Sequence, residues 1–177
     1  MKKLLLVAFS LTINFDSFAA FESTYEPLQS EKILFINGNI LDGEGNELLN
    51  TDILIADGKI IAIGKGISIE DKDVKIIDAK NKWITPGIID IHSHMGVYPA
   101  PSVRTSSDGN EATSPVTAEV WAEHSMWVQD PQYALALTGG ITTFHVLPRS
   151  ANLIGGRGVT VKNLQRNTIQ SMKYPDA

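Results

Sequence analysis

The stretch ITPGIIDIHSHMG, Ile84 to Gly96, decides how the chain is interpreted. An apolar run between glycines is typical of a strand buried on both faces, as in a parallel sheet. The run ends in His92-Ser93-His94, which either presents two metal ligands or is an ordinary polar strand end. Because side chains at positions i and i+2 share one face of a strand, Asp90, His92 and His94 are expected on the same side.

Two histidines on one face of a strand can converge on a metal ion. Neutral imidazole is a good zinc ligand, and Asp90 could either orient a ligand or bind a neighbouring backbone N–H. The His-x-His spacing alone is a weak signal, because it also occurs in strands that bind nothing. Its place at the carboxyl end of a buried strand favours a site, since active sites of α/β barrels and open sheets collect there.

The region before this stretch is rich in strand and turn signals. Residues 32–85 predict several short antiparallel strands that form part of a small β-sandwich. DILIADGKIIAIG, residues 52–64, is the clearest unit, a hairpin around Asp57-Gly58. Asn37-Gly38 favours a tight turn, and Pro86-Gly87 suits a type II turn.

The region after the stretch changes to helix and buried-strand patterns. Residues 98–115 predict a long loop, and helices are predicted over 117–129 and 130–140, with Asp130 as the N-cap of the second. ITTFHVLP, residues 141–148, predicts a second buried strand, so the order is that of a βαβ unit with parallel strands. A tight hairpin around Gly155-Gly156 is expected to follow.

Composition excludes several classes of function. The chain has 177 residues, of which 43% are hydrophobic and 20% charged, an ordinary globular composition. The formal net charge is -5, and without a basic cluster this argues against nucleic acid as a partner. The absence of cysteine excludes disulfides, zinc ribbons and thiol catalysis.

The first residues predict a secretory signal peptide over 1–19. Lys2 and Lys3 precede an apolar run from Leu4 to Ile13, and small residues follow at the cleavage positions. The alternative is a buried helix or a membrane anchor, but the apolar run is too short to span a bilayer core of roughly 30 Å. The mature chain is therefore expected to be periplasmic or secreted, with no membrane partner after cleavage.

The chain resembles the N-terminal part of the amidohydrolase superfamily. WITPGIIDIHSHMG, preceded by the ADGKIIAIG hairpin, is similar to the segment that joins a small β-sandwich to the first strand of a (β/α)8 barrel. GGITTFHVLPRSANLIGGRGVTVKN resembles the second-strand region of the imidazolonepropionase-like or prolidase-like branch. The resemblance covers residues 32–177 and implies an incomplete α/β fold, with a β-sandwich portion over 20–85 and the truncated start of a TIM barrel over 86–177.

The resemblance assigns roles to a few residues. His92 and His94 match the first two metal ligands of the superfamily, and Asp90 matches the aspartate beside them. His145 and Arg157 are candidates for the substrate side of the site. The implied cofactor is one or two divalent ions, with zinc expected. The remaining ligands and the general base of the superfamily come from later barrel strands and have no counterpart in this chain.

The implied activity is metal-dependent hydrolysis of a C–N bond in an amide, a cyclic amide or a peptide. The substrate would be a small molecule or a peptide, and the full-length enzyme could form a homo-oligomer. We expect the chain to be inactive alone, as an N-terminal fragment. The alternative is a non-catalytic secreted β-rich module or a truncated remnant without activity.

Overall fold

The computed structural model describes residues 20–175, so the predicted signal peptide lies outside the described residues. The regular elements are, in chain order, β1 (Ile33–Leu41), β2 (Glu47–Ala56), β3 (Lys59–Gly64), β4 (Lys75–Asp78), β5 (Trp83–Ile84), β6 (Ile88–Ser93), α1 (Gln132–Thr138), β7 (Ile141–Val146) and β8 (Val159–Lys162). Short 3-10 turns lie at Arg104–Ser106 and Ala122–His124. Over residues 20–175, no helix has both the length and the apolar character that crossing a membrane requires.

The first sheet contains five strands. Its order is β3-β2-β1-β4, and β5 also pairs with β1. β1, β2 and β3 are antiparallel, as predicted, but β4 and β5 run parallel to β1. The prediction of purely antiparallel strands was therefore wrong for the last two, which return to the same edge of β1.

Two turn signals in this sheet have different outcomes. Asp57 and Gly58 have φ angles of 51° and 68°, the left-handed pair of a type I′ turn, so the predicted β2–β3 hairpin is confirmed. Asn37 also has a positive φ, 61°, but β1 continues through Asn37-Gly38. The pairing of β1 with β2 shifts in register there, which is the signature of a β-bulge rather than a turn.

The second sheet has the order β6-β7-β8 and contains the predicted parallel pair. β6 and β7 are parallel, with α1 between them in the chain, and β8 is antiparallel to β7. The predicted helix over 117–129 was wrong, because this segment forms only a 3-10 turn. Its backbone instead bridges residues 154–157, through Val116 to Ile154 and Trp121 to Arg157. The same bridges replace the tight hairpin expected at Gly155-Gly156.

The largest cluster of buried apolar side chains lies around the second sheet. Its members are Val97, Ala122, Tyr133, Phe144, Val146, Val159, Val161, Ile169 and Met172. They come from both strands of the β7–β8 pair, from α1 and from the segments that cross over it. This cluster fixes the ends of β6 and β7, where the candidate ligands lie.

Candidate active site at the ends of two parallel strands

The entry to β6 is set by a close approach between the Gly87 backbone and a side chain of β7. Gly87 does not have the positive φ of a type II turn, so that prediction was wrong. A Cβ atom at Gly87 would instead overlap the side chain of Thr142, on β7. Glycine at this position therefore lets β6 begin directly against its parallel neighbour.

β6 contains an irregularity just before the histidines. Asp90 pairs with Phe144 and Ser93 pairs with Val146, so β6 has one residue more than β7 between the two pairs. This bulge interrupts the strict alternation of side chains that the sequence predicts. The rings of His92 and His94 are nevertheless brought together, with centroids 5.5 Å apart and planes perpendicular.

His94 is oriented by the end of β7. Its Nδ1 lies 2.9 Å from the carbonyl oxygen of Leu147. A carbonyl can only accept a hydrogen bond, so Nδ1 carries the proton and the Nε2 lone pair is left available. Metal-binding histidines usually have such a partner, which fixes the tautomer and the ring orientation. The Leu147 N–H in turn donates to the Ser93 carbonyl at 2.9 Å, and this bond fixes the carbonyl acceptor relative to β6.

Asp90 makes a local hydrogen bond. Its Oδ1 accepts the backbone N–H of His92 at 3.2 Å. This is the backbone role that the sequence left open, and it stabilises the turned backbone at the bulge. Its role as an orienting partner of a metal ligand stays a prediction.

The segment after the histidines is held from below by α1. Gly96 has a φ of 81°, and a Cβ there would overlap the hydroxyl of Tyr133. Asp130 accepts the Gly96 N–H at 3.2 Å and the Gln132 N–H at 3.0 Å, so one carboxylate joins the loop after β6 to the first turn of α1. Burial, together with the charge of Asp130, raises the pKa of Tyr133, which stays neutral beneath the site.

The two histidines open onto a shallow depression. Its lining residues include Asp90, His92, His94, Tyr98, Gln132 and Arg149. The Tyr98 ring lies 6.0 Å from the His94 ring, and the Arg149 guanidinium carbon lies 5.2 Å from the centre of the Tyr98 ring. The sequence interpretation missed Arg149. Its signal was its position just after the predicted second strand, at the sheet edge that also carries His92 and His94.

The other two candidates lie elsewhere. Nδ1 of His145 is 3.0 Å from the Thr160 hydroxyl, so this ring is turned toward β8. The Arg157 guanidinium lies 4.5 Å from the centre of the Trp121 ring. Neither side chain lines the depression, so the structure does not bring them together with the histidines. Their substrate-side roles stay predictions.

Residues 20–175 contain no group of three or more histidine, aspartate or glutamate side chains arranged to hold a metal. His92 and His94 are therefore a pair, and a catalytic zinc usually has three protein ligands. Within this range the arrangement therefore supplies two candidate ligands.

Comparisons with known proteins show which enzymes the chain is similar to. No family model matches the chain. An amidohydrolase from Hapsidospora irregularis is 34% identical over 114 residues, which are 63% of this chain and 12% of that protein. A dihydroorotase from Bacillus cytotoxicus is 47% identical over 62 residues, 35% of this chain and 14% of that protein. The solved amidohydrolase from Thermotoga maritima MSB8 matches with a TM-score of 0.71 and 37% identity, over 82% of this chain and 37% of that one.

These similarities are to hydrolases of C–N bonds. The similarities confirm the resemblance to the amidohydrolase superfamily that the sequence shows, and enzymes of this superfamily are generally metal-dependent. The chain spans only 12%, 14% and 37% of the lengths of these three proteins. The β-rich structure, with one βαβ unit over the described residues, fits an N-terminal portion of such an enzyme.

Proposed function

We propose that the chain is the N-terminal part of a metal-dependent hydrolase that cleaves a C–N bond in an amide, a cyclic amide or a peptide. The observation that carries the proposal is the pair of histidines at the carboxyl end of β6, which is parallel to β7. Their ring centroids are 5.5 Å apart, and one ring is fixed by a backbone carbonyl. The relatives support the reaction class, because they are amidohydrolases and dihydroorotases.

The residues present fit two ligands of a divalent ion. Neutral imidazoles suit zinc, and the Leu147 carbonyl leaves Nε2 of His94 free for coordination. An ion held by His92 and His94 would supply Lewis-acid polarisation of the scissile carbonyl. The chain itself orients His94, keeps Tyr133 neutral and lines one wall of the depression with Tyr98. Further ligands and the general base belong, in this proposal, to later barrel strands.

We assign residues 20–85 to the N-terminal β-sandwich portion and residues 86–177 to the start of the barrel. The exposed edge of β6 supports this division, because Ile88, Ile89 and Ile91 are 54%, 60% and 75% exposed there. In a closed barrel the first strand pairs on both sides, and its outward face is covered by helices. We further propose that residues 1–19 are a signal peptide, that the enzyme is periplasmic or secreted, and that the complete enzyme forms a homo-oligomer.

The first test is metal retention. We expect a polypeptide that also contains the later barrel strands to retain added zinc after dialysis, and His92→Ala and His94→Ala to weaken its binding at least about tenfold, since each removes a ligand. His124→Ala is the matched control, because His124 packs against Phe21, with ring centroids 4.9 Å apart, and does not line the depression. Elemental analysis that finds equal zinc in all four proteins would contradict the assignment.

The second test separates the hydrolase from the alternative of a non-catalytic module. A polypeptide that also contains the later barrel strands should hydrolyse cyclic amides, N-acyl amino acids or dipeptides, and a chelator should abolish this turnover. The 177-residue chain should not. Chelator-sensitive hydrolysis by the short chain would overturn its predicted inactivity, whereas no hydrolysis by either polypeptide would favour the non-catalytic module.

A further inference from the structure

Arg149 is a charged side chain that lines the depression. It has no role as a candidate metal ligand, and no sequence motif predicts a function for it. It lies just after β7, on the wall that also contains Tyr98 and His94. No carboxylate among residues 20–175 forms an ion pair with it, since the ion pairs in this range involve Lys32, Lys75 and Lys173. A guanidinium beside two candidate metal ligands is therefore available to a bound molecule.

Two contacts fix the position of Arg149. Its guanidinium carbon lies 5.2 Å from the centre of the Tyr98 ring, within the range of a cation–π interaction. Its backbone N–H donates to the carbonyl of Gly109, so the loop from the first strand supports the loop from the second. The Tyr98 ring also meets the His94 ring edge to face at 6.0 Å, so a single aromatic ring lies between the cation and the histidine pair.

We propose that Arg149 binds a carboxylate of the substrate while the scissile C–N bond lies at His92 and His94. This inference rests on the proposed function. The substrate class is then an N-acyl amino acid, a peptide or a cyclic amide with a carboxylate near the bond that is cleaved. A planar guanidinium binds a carboxylate through two parallel hydrogen bonds, which gives orientation as well as affinity.

The charges on the wall favour a carboxylate over a phosphate. Arg149 is the one cationic side chain among the residues that line the depression, and Asp90 lies on the same wall. One guanidinium balances the single charge of a carboxylate, whereas a phosphate dianion would keep an excess charge near the Asp90 carboxylate. Gln132 supplies no further donor to a phosphate, because its side-chain NH₂ group already donates to Asp130 and to the Tyr98 carbonyl.

The test compares a probe that ends in a carboxylate with a neutral probe of similar size that ends in an amide. N-acetylglycine and its neutral amide, N-acetylglycinamide, are each titrated into the full chain, and their binding is measured by NMR or calorimetry. We expect the charged probe to bind at least about tenfold more tightly, the size of one charge-assisted pair. Arg149→Gln should abolish this preference, and Arg149→Lys should restore part of it. The matched control is Arg157→Gln, because that guanidinium lies over Trp121, and it should keep the preference.

Three outcomes would overturn the inference. The first is that the wild-type protein does not prefer the charged probe, either because the two affinities are equal or because N-acetylglycine shows no saturable binding. The second is a preference that survives in Arg149→Gln. The third is that inorganic phosphate binds more tightly than N-acetylglycine. Zinc retention is measured on the same variants, and Arg149→Gln should retain as much zinc as wild type. If a wild-type polypeptide that also contains the later barrel strands fails to bind zinc while the probe preference is intact, the result contradicts the proposed function and not the carboxylate site.

Discussion

In the second sheet, Phe144, Val146 and Val161 are completely buried, whereas in the first sheet Ile61 and Ile76 are 57% and 63% exposed. The first sheet contains a polar anchor. Asp52 accepts three backbone N–H groups, one from Asn37 at the bulge of β1 and two from the segment after β3. Burial of apolar area stabilises in proportion to the area removed from water, so we expect most of the packing energy in the second sheet.

The difference matters for the candidate site. The histidines are positioned by the second sheet, through the Leu147 carbonyl and through Tyr133 beneath Gly96. A site that must hold two rings in a fixed geometry benefits from a close-packed support. None of the residues that line the depression comes from the first sheet.

The largest effect should come from the centre of the apolar cluster. Phe144→Ala should lower the free energy of unfolding by about 3–5 kcal/mol, because it leaves a cavity beneath Tyr133, whose ring centroid lies 5.8 Å away. Ile61→Ala, on the exposed face of the first sheet, should change it by no more than about 0.5 kcal/mol. Urea denaturation measures both variants. Similar losses in the free energy of unfolding would show that these two positions do not differ in packing.

A comparable effect should come from the buried ion pair at the edge of the second sheet. Glu123 and Lys173 are 2.8 Å apart, with side chains 0% and 5% exposed, and they bind the backbone N–H and carbonyl of Phe21. Glu123→Ala leaves the ammonium buried without its countercharge, so it should cost about 3–5 kcal/mol. Hydrogen exchange at the Phe21 amide should also become faster.

The paired variant Glu123→Leu with Lys173→Met distinguishes a buried charge from lost packing. Replacing both charges by apolar groups of similar size is often neutral, so this double variant should be clearly more stable than Glu123→Ala. Equal losses in the two variants would show that the ion pair contributes through its shape and the Phe21 bonds rather than through its charge.

Local signals in the sequence predicted those features that depend on neighbouring residues. The Asp57-Gly58 turn needs only two residues with positive φ, and the parallel β6–β7 pair follows from the order of strand, helix and strand. The approach of His92 to His94 was predicted from their spacing, although the bulge after Asp90 was not. The bulge depends on the partner strand, which no local pattern describes.

Features that depend on distant segments were missed. Residues 117–129 have a helical pattern, but their backbone bonds to the segment at 154–157 win over the intrinsic helix preference. The carbonyl that orients His94 belongs to Leu147, and a backbone acceptor leaves no trace in the sequence. The sequence pointed to Arg157 and not to Arg149, whereas the fold places Arg149 at the depression and Arg157 over Trp121.

The smallest predicted effect concerns the polar support of the first sheet. Asp52→Ala removes the acceptor for the N–H groups of Asn37, Gly66 and Ile67, at 3.0, 2.9 and 3.1 Å, and should cost about 1–3 kcal/mol. Hydrogen exchange should accelerate at those three amides and stay unchanged at Phe144, because regions with separate support open separately. Asp73→Ala, at an exposed position, is the control and should leave both sets unchanged. Equal acceleration in both sheets would mean that they open as one cooperative unit, and the contrast between a polar and an apolar support would then have no consequence for the site.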